Sequence, residues 1–219
     1  YNPNIIFLNN SNLFAERFGI KLINFIRFNF EKIKIISIDS YFKCLKYIDH
    51  LWIPNIEVEK KLKLKKKVHY GWDKLLIKHE KNKAKKNFKK EKLIISLGGT
   101  DKYKLMKDLP SILLKYLNNT NHINLLIGPF AKQPKKIDKL KINILKNKKN
   151  INYLNRFNLG LVLFGVSFFE MLRSKVPCVI LIPPKKERAY LIKELKRNKL
   201  EIASNLCSSV KKLNKISKN

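Results

Sequence analysis

Seven glycines, three cysteines and two methionines are all that these 219 residues hold of those types, and acids are scarce too, with 16 Asp and Glu against 48 Lys and Arg. Each shortage excludes something. Cys44, Cys178 and Cys207 stand far apart with no CxxC or other metal-ligand spacing, so neither a disulfide framework nor a zinc site can be assembled from them. They read as reduced packing residues of a cytoplasmic protein. His50, His69, His79 and His122 are equally dispersed, and no metal site is expected. No basic segment leading into an apolar run marks a signal peptide. The longest charge-free run of the most apolar stretch, Phe157 to Phe169, falls short of the ~18 to 20 residues that span a bilayer. A transmembrane segment is not expected, while a peripheral membrane contact is compatible with the sequence.

Arginine is the most informative shortage. The formal charge of +32 and a pI near 10.1 would ordinarily point to a polyanionic partner. Arginine, however, occurs only at Arg17, Arg27, Arg156, Arg173, Arg188 and Arg197, so the excess is nearly all lysine, and it accompanies abundant Asn and Ile. Base-edge and phosphate recognition favours the bidentate guanidinium, and single-strand platforms interleave it with aromatics. Lysines scattered over every polar segment read instead as a solvated surface shaped by AT-rich codon usage. No nucleic-acid partner is expected.

What is present is apolar pattern. At 45% hydrophobic content the chain can bury a substantial core. Short β-branched runs alternate with longer segments of helical spacing, the pattern of parallel α/β architecture. Strands are predicted at Ile5 to Leu8, Lys34 to Ile38, His50 to Ile53, Leu93 to Leu97, Ile123 to Ile127, Ile151 to Leu154, Leu159 to Phe164 and Val176 to Ile182. The clearest helices are Leu105 to Leu117 and Arg188 to Leu200. The stretch "KHEKNKAKKNFKKEK", residues 78–92, has almost nothing to bury and reads as an exposed linker or solvated helix. The organisation expected is a unit over residues 1–78, a Lys-rich linker over 79–91 and a second unit over 92–219.

Three segments could carry chemistry. In "LIISLGGTDKYKL", residues 93–105, a strand runs into Gly98, Gly99, Thr100 and Asp101 before a helical pattern. Glycines at a strand end let the backbone approach a ligand, and the next helix N-terminus offers free N–H groups, which suits a diphosphate. A tight strand-to-helix turn with Thr100 or Asp101 as helix cap accounts for the same residues. The spacing is neither a Walker A loop nor GxGxxG. In "INLLIGPF", residues 123–130, a second strand ends at Gly128, and ligand crevices of open α/β sheets lie outside such carboxyl ends. The third strand ends at Gly165 and is followed by Val166, Ser167 and, three positions on, Glu170. Ser-x-x-Glu is a capping box. The same carboxylate could instead accept hydrogen bonds from two ribose hydroxyls, each worth roughly 1.5 to 3 kcal/mol. Spacing leaves both readings open.

Taken in order, "IISLGGTD", "LLIGPF" and "NLGLVLFGVSFFEMLRSKVPCVILIPP" resemble the C-terminal domain of GT-B nucleotide-sugar enzymes. The likeness is greatest to the UDP-sugar hydrolases of pseudaminic acid biosynthesis and related spore-coat polysaccharide proteins. It is more distant to the GlcNAc transferase of the peptidoglycan lipid precursor. "PNIIFLNN", "KIKIISIDS", "IDHLWIPN" and "VHYGWDKLL" fall in the order of the later part of that family's N-terminal domain. The resemblance implies two Rossmann-like parallel-sheet units, the N-terminal one incomplete, with a UDP-sugar in the cleft between them. It implies a hydrolase or glycosyltransferase of surface polysaccharide or nonulosonic acid biosynthesis, without a cofactor or an essential metal.

Residue by residue, the family's first Gly-Gly loop matches Gly98 and Gly99 beside the diphosphate or sugar. Its Gly-Gly-Ser/Thr loop matches Phe164, Gly165, Val166 and Ser167, its ribose-binding Glu matches Glu170, and its polar pair after the next strand matches Glu187 and Arg188. Thr100 and Gly128 complete the expected substrate-binding set. Phe164 in place of glycine would crowd a phosphate unless its ring turns into the core, and Glu187 in place of an amide would repel one unless Arg188 or a lysine offsets it. The resemblance also implies that the chain begins after the loop holding the family's catalytic histidine, and no catalytic residue is named. A catalytically silent nucleotide-sugar-binding homologue is the alternative, and a basic nucleic-acid-binding protein a further one.

Overall fold

The computed structural model describes residues 4–10, 12–30, 32–56, 58, 60–76, 93–117, 123–134, 140–146, 151–183 and 188–216. The chain divides into two compact units, Tyr1–Leu76 and Ile77–Asn219. Each is α/β with a parallel sheet. The Lys-rich stretch at 79–91 lies outside the described residues.

In the first unit, β1 (Ile5–Leu8), β2 (Lys34–Ile38), β3 (His50–Ile53) and β4 (Val68–Tyr70) lie side by side in chain order. They are joined through α1 (Asn12–Asn29), a 3-10 turn at Phe42–Cys44 and the short α2 (Lys60–Lys63). Parallel strands laid down in sequence with right-handed crossovers put every connection on the same face. The core confirms this, uniting Ile23 and Ile26 of α1, Cys44 of the turn and Leu62 of α2 with Leu8, Ile35, Leu51, Ile53 and Val68 of the strands. Side chains alternate along a strand, so Ile5 and Phe7 point the other way, and Phe7 is 62% exposed.

Asp49 ties this unit together. Its Oδ2 accepts the Ile35 N–H at 2.7 Å and the Arg27 guanidinium at 2.6 Å, and Arg27 also donates to the Ile33 carbonyl, so one carboxylate joins α1, β2 and the approach to β3. Burial alone would push the Asp49 carboxyl up, but the Ile35 N–H and the Arg27 guanidinium outweigh it and hold the group below the usual carboxylate range.

In the second unit, β5 (Leu93–Ser96), β6 (Ile123–Ile127), β7 (Ile142–Lys146), β8 (Leu159–Leu163), β9 (Cys178–Leu181) and β10 (Glu201–Ala203) form one sheet in the order β10-β9-β8-β5-β6-β7. Its helices are α3 (Leu109–Tyr116), α4 (Val166–Arg173), α5 (Ala189–Arg197) and α6 (Leu206–Ile216). The chain starts at the centre with β5, winds outward through β6 and β7, then returns to the other side of β5 and winds outward through β8, β9 and β10. Every residue of β5 is buried, as a central strand covered on both faces requires. Gly160 within β8 admits α4 closely. A Cβ there would stand 2.6 Å from Met171 Sδ and 3.1 Å from Cys178 Cβ.

Several boundaries differ from expectation. Ile151 to Leu154 is not a strand but part of a 3-10 helix over Ile151–Arg156. Among the described side chains there, Leu154 and Phe157, three apart, are buried, a spacing that suits three residues per turn and not a period of two. The helix expected from Leu105 begins at Leu109, with Pro110 in its first turn. Strands β4, β7 and β10 and helices α1, α2 and α6 are further elements, outside those predicted.

Asp49→Asn is expected to lower the stability of the first unit by about 1 kcal/mol, a modest value because the pair is partly solvent-screened. The carboxyl titrates lower folded than unfolded, so in the unmutated protein this contribution is complete above the ordinary carboxylate range. It is lost as pH falls through the depressed value. Both tryptophans, Trp52 and Trp72, lie in this unit, so urea unfolding followed by tryptophan emission reads it directly. A midpoint unchanged in Asp49→Asn would show that the network carries no stability.

Candidate functional site

The reversal of winding falls between β5 and β8, neighbours whose following segments leave in opposite directions, one toward β6 and one toward β9. Such a divergence opens a crevice at the carboxyl end of the sheet, where α/β proteins bind ligands. Ser96, the last residue of β5 and 2% exposed, donates through Oγ to Ser167 Oγ of α4 at 3.2 Å, tying β5 to α4 at that divergence.

On the β5 side the chain turns at Gly98, whose φ of 95° is in a region that side chains rarely adopt. Gly99 then meets the turn after β6. Its carbonyl accepts the Phe130 N–H at 3.0 Å, and a Cβ on Gly128 would lie 2.3 Å from Gly99 Cα. Gly128 therefore has its role in letting two rim turns touch. Gly99 itself has nothing within 4 Å of where its own Cβ would stand, so its backbone is approachable. Thr100 is exposed beside it. Neither Thr100 nor Asp101 caps α3, whose N-cap position is Asp108; the Asp101 carboxylate accepts the Leu105 and Met106 N–H groups at 2.8 and 3.2 Å, fastening the turns that lead into the helix.

On the β8 side Gly165 is the N-cap of α4, also with open space around its would-be Cβ, and no side chain caps the helix. Val166 is 68% exposed at the first helical position. The capping box is not formed. Ser167 is the second residue of α4 and not its cap, and Glu170 is the fifth, in the second turn, too far along to reach back to the N-cap N–H. Phe164 does not crowd the turn, because its ring packs against Phe168 and Phe169 at 5.7 and 5.6 Å between centroids, and those two rings are buried.

Burial pushes the Glu170 carboxyl above its ordinary range. Among the described residues it has no hydrogen-bond or ion-pair partner, in a chain of 48 basic residues. Its electrostatic neighbour is Tyr153, whose hydroxyl is pushed up by burial first and by Glu170 second.

After β9, Arg188 donates to the Pro183 carbonyl at 3.3 Å and to the Tyr103 hydroxyl at 3.2 Å, joining the segments that follow the strands on either side of β8. Glu187 lies outside the described residues. The structure thus gathers Gly98, Gly99, Thr100, Gly128, Gly165, Val166, Ser167 and Arg188 on segments that follow carboxyl strand ends of one sheet, with Glu170 one turn deeper on α4. Ser96, Tyr103 and Tyr153 were not anticipated. A serine closing an otherwise aliphatic strand was the signal available for the first of them.

Among the described residues no group of three or more His, Cys, Asp or Glu could hold a metal ion. Burial pushes the Cys178 thiol up to about 12, as befits a packing residue. His50 and His69 pair with each other in the first unit, Nδ1 to Nε2 at 2.9 Å, while His79 and His122 lie outside the described residues. Among the described residues no helix is long and apolar enough to cross a membrane. No protein-family model matches the chain, and no curated protein matches it.

Gly128→Ala should force the two rim turns apart and destabilise the second unit by about 1 to 3 kcal/mol. Gly99→Ala should leave stability within about 0.5 kcal/mol of the parent, since its Cβ meets nothing. Amide hydrogen exchange along β5 and β6 distinguishes them. Equal protection in the two variants would contradict the contact.

Proposed function

We propose that the second unit binds a nucleoside diphosphate sugar, a UDP-sugar, at the β5/β8 switch point. In this reading the whole protein is a UDP-sugar hydrolase or glycosyltransferase of GT-B type, serving surface polysaccharide or nonulosonic acid biosynthesis. The observation that carries the reading is the conjunction at α4 of an open Gly165 turn with a half-buried Glu170 carboxylate that lacks a cation partner among the described residues. The first-turn N–H groups of α4 and the Gly98-Gly99 backbone receive the diphosphate. Arg188, held against Tyr103, supplies a fixed positive charge on the same rim. Glu170 accepts hydrogen bonds from the ribose hydroxyls. Helix dipole and guanidinium stabilise the negative charge that develops on the departing diphosphate as water or an acceptor hydroxyl attacks the sugar.

A second reading, binding without turnover, draws on the histidines. The two described ones are engaged with each other in the first unit, so no general base is assigned at the rim of the second. Product formation from a UDP-sugar separates the two readings.

Glu170→Gln tests the binding itself. The carboxyl titrates higher folded than unfolded, so its ionised form opposes folding, and the cost is felt as pH rises through the raised value. Removing the charge should therefore leave the thermal midpoint at neutral pH unchanged or raised. UDP affinity by calorimetry should fall about 10-fold or more, the loss of charge-assisted bonds. In the parent, affinity should also weaken as pH drops through the raised carboxyl value, because a protonated carboxyl accepts less well. A variant that loses stability but keeps its affinity would assign Glu170 a structural role. Steeply salt-dependent binding to nucleic acid without UDP affinity would contradict the proposal altogether.

A further inference from the structure

Helix α1 of the first unit buries Ala15, Gly19, Ile23 and Ile26 toward its sheet. The outward side of a helix that covers a sheet is ordinarily polar. Here Phe14, Phe18, Phe25 and Phe28, spaced by four, seven and three, fall on one outward face and are 38%, 50%, 64% and 87% exposed. Leu13 and Ile20 flank that row at 62% and 44% exposure. Arg17 and Lys21 are exposed on the same side. The helix has a single acid, Glu16, which is paired with Lys43 at 3.1 Å.

Two properties define what covers this face: it must take up aromatic side chains, and it must accept positive charge. A second copy of the chain satisfies the first and not the second, because it brings another +32 and a second Arg17 and Lys21 to the contact. The interface of an anionic bilayer satisfies both, with acyl chains for the phenylalanines and acidic headgroups for the flanking cations. We propose that α1 seats the protein on anionic membrane surfaces, its phenylalanine row lying in the plane of the headgroup boundary. The attachment is reversible and peripheral, and it does not depend on what the second unit binds.

The test is sedimentation of the full chain with vesicles of equal parts phosphatidylglycerol and phosphatidylcholine, against phosphatidylcholine alone. Binding is expected only to the anionic vesicles. It should weaken about tenfold or more in Phe25→Ser/Phe28→Ser and in Arg17→Glu/Lys21→Glu. Binding of the phenylalanine variant equal to that of the parent would mean that general lysine charge does the holding, and would overturn the proposal. A parent dimer that the same variant makes monomeric would overturn it too, in favour of a protein interface. Should the double variants fail to fold, Phe28→Trp decides. Its added emission should shift to the blue and be quenched by lipids brominated in the upper acyl chain, beyond any change in the parent's own tryptophans, and unquenched emission would contradict insertion.

Discussion

The second unit is organised by the place where its chain reverses direction across the sheet. β5 lies at the centre with β6 on one side and β8 on the other, and the segments leaving β5 and β8 separate. Everything assigned to the candidate site follows from that separation. The Gly98 turn goes one way and locks onto Gly128, the Gly165 turn goes the other and opens α4, and the Ser96–Ser167 hydrogen bond ties the end of β5 to α4. A sheet wound in a single direction would leave no such gap. The first unit, wound that way, keeps its connections on one face and shows no equivalent divergence among its described residues.

Glycine scarcity makes the positions of the few glycines telling. Gly128 and Gly160 allow close approaches, turn to turn and helix to sheet, whereas Gly99 and Gly165 face open space. The first pair is required by packing. The second pair is explained by packing far less well, since a Cβ at either position would touch nothing, and the backbone there is left approachable. Glu170 follows the same logic in electrostatic form. A protein with so many lysines could neutralise a half-buried carboxylate at little cost, yet this one faces a tyrosine.

Much of this was legible from sequence because β-branched runs ending in glycine carry their own punctuation. β5, β6 and β8 were located to within a residue, and so was the rim they share. What was not legible depended on partners distant in the chain. The 3-10 segment at Ile151–Arg156 resembles a strand until Leu154 and Phe157 are seen to share one buried side. Helix α1, rich in Phe, Ile and Asn, carries apolar residues on both its buried and its outward faces, which blurs the period that would have announced it. Ser-x-x-Glu invited a capping box, and only the actual start of α4 at Val166 decides against it. Asp101 after its glycine turn likewise invited a helix cap, but α3 starts only at Leu109 with Asp108 at its N-cap position, and Asp101 holds the turn N–H groups of Leu105 and Met106 instead.

Whether a nucleoside diphosphate lies across the β5/β8 switch point can be read from amide chemical-shift mapping of the full chain during titration with UDP. Saturable shifts are expected at Gly98, Gly99, Gly165, Val166 and Ser167, with the first unit unmoved. Shifts confined to surface lysine segments, or none at these five amides at saturating UDP, would contradict it.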